Sequence, residues 1–193
     1  KNIPVHIYNS RLPDATGTSI SASAPRSSNL VKSIAYKRPV TIINATAEPA
    51  LAGSRETSTY ELVRVLFDVL AKRRARALFT TVSASNVLVA LDSADLKHGG
   101  RDLIEAIRGY GTAVAEPGHA IVSLVGEGLK SDRAALGRVL GAIEQTEMGL
   151  VLQGSSPITL SFVVGEADVE PVVRRLHEIF FSVLTRQPIE FDK

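Results

Sequence analysis

Hydrophobic and polar positions in the first half of the chain predict alternating strands and helices. Ser58 followed by Glu61 has the form of a capping box, which predicts a helix start. Apolar residues at helical spacing then predict two helices, marked by Leu62, Val65, Leu66, Val69 and Leu70 and by Leu103, Ile104 and Ile107. Strands are predicted at residues 40–44, 77–81, 86–91 and 112–116. The order is strand, helix, two strands, helix and strand.

The second half repeats this order after an offset of about 70–80 residues, which indicates two copies of one unit. Its strands are predicted at residues 120–125, 150–153 and 158–164. Its helices are predicted from Leu136, Val139, Leu140 and Ile143 and from Val169, Val172, Val173, Leu176, Ile179 and Phe180. Each copy reads βαββαβ, the ferredoxin-like arrangement.

The second copy lacks an obvious last strand. A short piece around residues 189–191 could supply it, and so could a strand near residues 18–21, before the first copy. In the latter case the first copy is inserted into the second, and neither copy folds independently.

Five segments of the chain resemble aspartokinases. They are residues 3–20 (IPVHIYNSRLPDATGTSI), 31–44 (VKSIAYKRPVTIIN), 122–129 (VSLVGEGL), 153–164 (QGSSPITLSFVV) and 173–181 (VRRLHEIFF). The last three resemble the C-terminal ACT domain of that family. The first resembles the passage from the kinase domain to the regulatory region, and the second resembles the entry into the first ACT domain. The resemblance implies an α+β fold of two ferredoxin-like βαββαβ ACT domains, the first inserted into the second.

The resemblance also implies a function. Aspartokinases transfer the γ-phosphate of ATP to the β-carboxylate of aspartate, the first step towards lysine, threonine, methionine and isoleucine. This chain would be the regulatory region alone, with no cofactor of its own, while ATP and Mg belong to the kinase domain of a longer parent chain. Its expected partners are a small amino-acid effector (lysine or threonine), a second copy joined through the ACT sheets, and that kinase domain.

The same resemblance implies a division of the chain into four parts. Residues 1–16 would be the tail of the kinase domain or a linker, and residues 17–38 would contribute a strand and a linker to the second ACT domain. Residues 39–117 would form the first ACT domain and residues 118–193 the second.

Two loops in each copy are candidates for an amino-acid site at one sheet edge. Backbone N–H groups at a helix start suit a carboxylate, and hydroxyls, amides and carbonyls suit an ammonium. The candidate residues are Ser58, Thr59, Thr80, Thr81, Ser85, Asn86, Leu129, Lys130, Gln153, Ser155 and Ser156. The alternative is that these are polar turns that satisfy their own backbone and that Ser58 is a helix cap.

The candidate loops depart from the family pattern: the helix-start glycine of the first loop is absent, the turn at residues 80–86 is two residues longer, and two acids are missing. Asn86 stands where the family turn carries an acid, and Pro157 stands where glutamate is common. Either the effector differs, or its geometry differs, or sensing has been lost. The alternative function is therefore an ACT-type dimerisation or assembly module that has lost effector sensing, and the alternative parent is a bifunctional fusion enzyme.

Composition narrows the function classes further. The formal net charge of +2 is too small to indicate nucleic-acid or membrane binding, and the absence of cysteine excludes disulfides and thiolate sites. The four histidines lack metal-ligand spacing, and no catalytic acid–base pair is evident. The basic run at residues 72–76 fits a helix end better than a nucleic-acid patch. Asp92, Asp95 and Asp102 are expected on the solvated surface. We expect a cytoplasmic protein whose natural chain begins before Lys1.

Overall fold

The computed structural model describes residues 3–8, 10–11, 17–20, 30–47, 58–96, 100–129, 132–144, 146, 148–153 and 156–181. The strands are β1 (Val5–Ile7), β2 (Thr18–Ile20), β3 (Ser33–Ala47), β4 (Ala77–Val82), β5 (Asn86–Asp92), β6 (Gly111–Val125), β7 (Met148–Gln153) and β8 (Thr159–Gly165). The α-helices are α1 (Thr59–Arg73), α2 (Arg101–Ile107), α3 (Arg133–Ala142) and α4 (Val169–Phe181). Short 3₁₀ helices span Ser93–Asp95 and Glu166–Asp168.

Six strands form one antiparallel sheet in the order β4-β5-β3-β6-β8-β7. Its two central strands, β3 and β6, are 15 residues long and pair with each other along most of their length. Residues 40–46 of β3 also pair with β5, and residues 119–125 of β6 also pair with β8. Each long strand therefore belongs to both halves of the sheet.

We call these halves unit one (residues 40–116) and unit two (residues 33–37 together with residues 119–181). In unit one the first half of β6 is the last strand, and in unit two the first half of β3 takes that place. Both units then have the ferredoxin-like βαββαβ arrangement. The α+β fold class with the first unit inserted into the second is confirmed.

The strand that completes unit two is not the one that the sequence suggested. β2, within residues 18–21, pairs with β1 in a separate hairpin in which Val5 lies opposite Ile20. Residues 33–37 instead pair with residues 121–125 of β6. The other suggested donor, around residues 189–191, lies outside the described residues.

Local pattern concealed this strand because charged residues and a proline interrupt the apolar alternation at residues 37–39. The chain passes this point as an irregularity within β3, where the register against β6 shifts between Lys37 and Val40. Bulges of this kind keep a strand continuous while changing its direction. The local pattern therefore predicts the end of a linker followed by a new strand, where the structure has the single strand β3.

Two apolar clusters hold the helices against the sheet. The cluster of unit one joins α1 and α2 to β3 and β5 through residues that include Leu62, Leu66, Val89, Leu103 and Ile107. The cluster of unit two joins α3 and α4 to β6 and β8 through residues that include Val122, Val139, Phe162, Val172 and Leu176. Burying each such large side chain contributes about 1.5–3 kcal/mol. Most residues of the apolar stripes that the sequence assigned to the four helices lie in or against these cores, but Leu140 of the α3 stripe is exposed.

A third apolar cluster joins the two units on the other face of the sheet. It contains Val40, Ile42, Ala90 and Val163, all nearly inaccessible to solvent. Successive side chains of a strand point to opposite faces. Because the neighbours of these residues along the strands lie in the helix-facing clusters, the third cluster occupies the face without helices.

None of the described helices is long and apolar enough to span a membrane.

Candidate functional site

Three segments meet at one end of unit one: the end of β3, the start of α1 and the turn between β4 and β5. Ser58 is extended, and its hydroxyl oxygen accepts a hydrogen bond from the Glu61 amide at 3.3 Å, as the capping box predicts. The Thr59 hydroxyl donates to the carbonyl oxygen of Ala84 at 2.6 Å, which ties the helix start to the turn. The Ala47 amide donates to the carbonyl oxygen of Ser85 at 2.8 Å. The structure thus brings Ser58, Thr59 and Ser85 together.

Asn86 belongs to the same turn, but its side chain lies on the opposite face of the sheet. Its amide nitrogen donates to the side-chain oxygens of Asn44 and Thr46. Val87, the next residue, is buried in the helix-facing cluster, so alternation places Asn86 on the face without helices. The Asn86 amide therefore links β5 to β3 on that face and points away from the start of α1.

Thr80 and Thr81 lie in β4, an outer strand of the sheet, and do not join the turn. Thr80 is opposite Val89 and Thr81 is opposite Leu88, and both threonines are partly buried. Since neighbouring strand residues face opposite ways, at most one of the two threonines can face the start of α1. At least one of these two candidates is therefore directed away from the start of α1.

The corresponding loop and turn of unit two also meet. The Gly126 amide donates to the carbonyl oxygen of Ile158 at 2.8 Å. The Leu129 side chain is 2% exposed and belongs to the core, so only its backbone could contact a ligand. The Ser156 hydroxyl oxygen accepts from the Ile158 amide at 3.3 Å, which is how a self-satisfied polar turn behaves.

The remaining candidates of unit two are not described at the level of side chains. Lys130 and Ser155 lie outside the described residues. The backbone of Gln153 pairs with Leu160 at the end of β7, and its side chain is outside the description.

Asp92 is a buried carboxylate that sequence reasoning placed on the surface. It is 5% exposed, and its Oδ2 lies 2.7 Å from the Lys37 ammonium nitrogen. The hydrogen bond from Lys37, followed by that from the Ala94 amide, holds the pKa of Asp92 below its usual value. Nothing in the local sequence distinguishes Asp92 from the exposed acids that follow it, because its partner lies more than fifty residues earlier in the chain.

The basic run of residues 72–76 lies at the C-terminal end of α1. Arg73 forms an ion pair with Asp102 at 2.7 Å, and Arg76 forms one with Asp95 at 3.3 Å. Cations in the last turn also complement the helix dipole. These contacts agree with the structural interpretation of the run. A cavity of about 310 Å³ beside it contains none of the candidate residues.

Exposed apolar side chains recur at the outer strand of each unit. β4 exposes Leu78 and Val82, and α1 exposes Tyr60 and Phe67. In unit two, β7 exposes Val151 and α3 exposes Leu140. Among the described residues, the outer edges of β4 and β7 carry no paired strand. Each unit therefore presents an open sheet edge with apolar side chains on the outer strand and on a helix.

Comparisons with known proteins agree with this architecture. Residues 122–180 match the ACT domain family model. Aspartokinase 2, chloroplastic, of Arabidopsis thaliana is 28% identical over 193 residues, which cover 94% of this chain and 34% of that protein. Aspartokinase 1, chloroplastic, of the same plant is 26% identical, covering 93% of the chain and 32% of the relative. Along most of its length the chain is similar to part of these aspartokinases, and within that length it matches an ACT domain.

Solved structures extend the likeness to three dimensions. Escherichia coli aspartokinase III in complex with lysine and aspartate is 26% identical, with a TM-score of 0.68, and the match covers 93% of this chain and 39% of that one. The regulatory subunit of aspartate kinase from Thermus flavus shares the fold, with a TM-score of 0.60 at 19% identity over 78% of this chain and 99% of that subunit. The chain spans about a third of the length of its curated relatives.

Among the residues that the structure describes, no group of three or more histidine, aspartate or glutamate side chains is arranged to hold a metal ion.

Proposed function

We propose that this regulatory region binds an end-product amino acid at unit one and adjusts the activity of an aspartokinase. The parent reaction would be the transfer of phosphate from ATP to L-aspartate, giving 4-phospho-L-aspartate, with ATP and Mg bound by the kinase domain. The observation that carries the proposal is the meeting of the start of α1 with the β4–β5 turn, joined by Thr59, in a chain whose relatives are aspartokinases.

The chemistry of this end of unit one suits an amino-acid backbone. The N–H groups at the start of α1 favour a carboxylate, as at any helix start, apart from the Glu61 amide that Ser58 already caps. Carbonyls and hydroxyls of the turn at residues 83–86 suit an ammonium. One curated relative is a lysine-sensitive aspartokinase of Escherichia coli, 24% identical over 94% of this chain. That turn carries no carboxylate here, so a lysine side chain would lack an acidic partner in it, and we favour threonine over lysine.

A thermal-shift screen of single amino acids tests this site. Ligand at about a hundredfold excess over its Kd stabilises the folded state by about 2.7 kcal/mol, or about 5–10 °C in Tm for a chain of this size. We expect such a rise with threonine, a smaller one with lysine, and the loss of both in Thr59→Val. Ser156→Ala, which removes a hydroxyl from the corresponding turn of unit two, is the matched control and should retain the rise. A screen without any shift would exclude the sensing proposal.

We also propose that two copies pair through their outer sheet edges. The open edge of β4 with the exposed Val82 supports this pairing, since unpaired edges readily accept another strand. Val82→Lys should convert a dimer into a monomer in light scattering. Val114→Lys is the control, because Val114 is equally exposed but lies on β6. A dimer that persists in Val82→Lys would place the interface elsewhere.

An assembly module without sensing is the second candidate. Two observations in unit two favour it: the burial of Leu129 and the hydrogen bond by which Ser156 satisfies its own turn. This candidate predicts a stable dimer and no amino-acid effect in the thermal-shift screen. It also allows a parent in which the region belongs to a fusion enzyme.

We further propose the domain boundaries at residues 38/39 and 117/118, where β3 and β6 are irregular. Residues 1–16 would then belong to the kinase domain or its linker. The β1–β2 hairpin supports this assignment because Ile7 and Ile20 are about half exposed and a lone two-stranded hairpin is marginally stable. A kinase domain packed on the hairpin would bury them.

The chloroplastic relatives make a plastid the alternative to a cytoplasmic location.

A further inference from the structure

Two buried polar side chains mark the place where unit one meets unit two. Among the described residues, Thr41 and Asp92 are the polar side chains that are buried, at 3% and 5% exposed. The hydroxyls of Thr41 and Ser93 share a hydrogen bond of 2.8 Å. Burying a polar group is costly unless it forms hydrogen bonds. Because both buried groups lie at this junction and both have partners there, the junction depends on specific polar contacts as well as on apolar packing.

Asp92 connects the two units through a single carboxylate. It is the last residue of β5, in unit one, and its Oδ1 accepts from the Ala94 amide at 3.1 Å. Its Oδ2 lies 2.7 Å from Lys37, which belongs to the unit-two part of β3. Arg76, at the start of β4, adds a second cation at 3.5 Å. The carboxylate is therefore held from both units at once.

The ion pair lies where the sheet itself is irregular. The register of β3 against β6 shifts between Lys37 and Val40 and again before Ile42. The next residue, Arg38, reaches the other way and lies 3.3 Å from Glu170 of α4, in unit two. Consecutive side chains of β3 thus bind opposite units across an interrupted part of the ladder. The third apolar cluster and the pairing of β3 with β6 on either side of the irregularity also join the units, and the Asp92–Lys37 pair adds a directional side-chain contact at the irregularity itself.

We propose that Asp92, acting through Lys37, is the positioning residue that fixes the orientation of unit one relative to unit two. A change of angle at the irregular part of β3 would separate the buried carboxylate from its cation. Charge-assisted hydrogen bonds in a poorly solvated place resist such separation. This inference concerns the arrangement of the two units and holds whether or not unit one binds an amino acid.

Distance measurements between spin labels test the proposal on the whole chain. The chain has no cysteine, so Lys72→Cys in α1 and Gly137→Cys in α3 accept labels without background. Both positions are exposed, and a side chain at Gly137 meets nothing within 4 Å. We expect one narrow peak in the labelled parent and its loss, by broadening or displacement, in Asp92→Asn and in Lys37→Met.

A matched control removes a charge that does not join the units. Asp68→Asn breaks the exposed pair with Arg64 within α1 and should leave the peak unchanged. Far-UV circular dichroism checks that each variant is folded. If Asp92→Asn does not fold, Lys37→Met decides the question, because Lys37 is 44% exposed and its loss leaves no cavity. A folded Lys37→Met variant with a narrow, undisplaced peak would overturn the proposal.

Discussion

A single methyl group added at Gly126 is expected to destabilise the regulatory region strongly. Gly126 follows β6 and lies against the chain that leads into β3. A Cβ there would lie 1.8 Å from the carbonyl oxygen of Leu30 and 3.0 Å from the Cα of Val31. Both are backbone atoms, which cannot rotate away as a side chain can. The position is also held from the other side, because the Gly126 amide donates to the Ile158 carbonyl.

The expected loss of unfolding free energy follows from the steric clash and from the hydrogen bond to Ile158. Forcing extra volume into a packed site costs about 1–3 kcal/mol, since backbone has to shift. Moving Gly126 also weakens its hydrogen bond to Ile158, which is worth about 0.5–1.5 kcal/mol. We therefore expect Gly126→Ala to lose about 2–4 kcal/mol. For a chain of this size each kcal/mol lowers Tm by about 2–4 °C, so the fall is about 5–15 °C.

Scanning calorimetry of Gly126→Ala and Gly137→Ala measures this effect against a matched control. Gly137 is exposed in α3, where an added Cβ meets nothing within 4 Å. Alanine is there a better helix former than glycine by about 0.5–1 kcal/mol, so Tm should rise by about 1–4 °C. The same substitution thus has opposite signs at the two positions. A Tm of Gly126→Ala at or above that of the parent would refute the packing argument.

Two further changes have expected outcomes. Lys37 lowers the pKa of folded Asp92 below its unfolded value, so the pair stabilises above that unfolded value, and the contribution is lost as pH falls through the folded pKa. The difference in unfolding free energy between the parent and Asp92→Asn, about 2 kcal/mol by urea titration at neutral pH, should shrink below about pH 4. Asp132→Ala removes the acceptor of the Ala135 amide at the start of α3 and should cost about 1 kcal/mol in the same assay.

Controls separate these effects from general loss of stability. Asp68→Asn, on the exposed surface of α1, should show little difference from the parent at any pH. Asp132→Ser keeps a capping oxygen and should stay close to the parent. A constant penalty for Asp92→Asn from neutral pH down to pH 2 would contradict the assigned pKa direction. Equal stabilities of Asp132→Ala and Asp132→Ser would show that the cap contributes nothing.

The helices and their buried faces could be predicted from the sequence because their information is local. Apolar residues at helical spacing recur every three or four positions, and that spacing alone determines which face of the helix they share. The stripe containing Leu62, Leu66 and Leu70 is buried as expected, and Ser58 caps the helix start. The strands following these helices were located for the same reason. Repetition of the pattern then indicated two units of one fold.

The pairing of strands across the two units could not be predicted in the same way. The last strand of unit two comes from residues 33–37, more than eighty positions before its partner in β6. Its local pattern did not differ from that of a linker end, and the charged residues that interrupt it are engaged by distant partners. Lys37 binds Asp92 and Arg38 binds Glu170. Only the tertiary structure shows that this interruption is the junction of the two units.

The candidate site shows the same limit at the scale of one residue, and this limit leads to a last prediction. Asn86 was selected because it stands in the turn, but a strand directs adjacent side chains to opposite faces. Burial of Val87 beneath α1 and α2 therefore turns Asn86 to the other face, where it binds Asn44 and Thr46. An effector at the start of α1 would be recognised by backbone groups of the turn and by Thr59. Asn86→Ala should therefore lower stability while retaining the effector-induced rise in Tm, whereas Thr59→Val should abolish that rise. The reverse result would place the effector on the face of the sheet without helices.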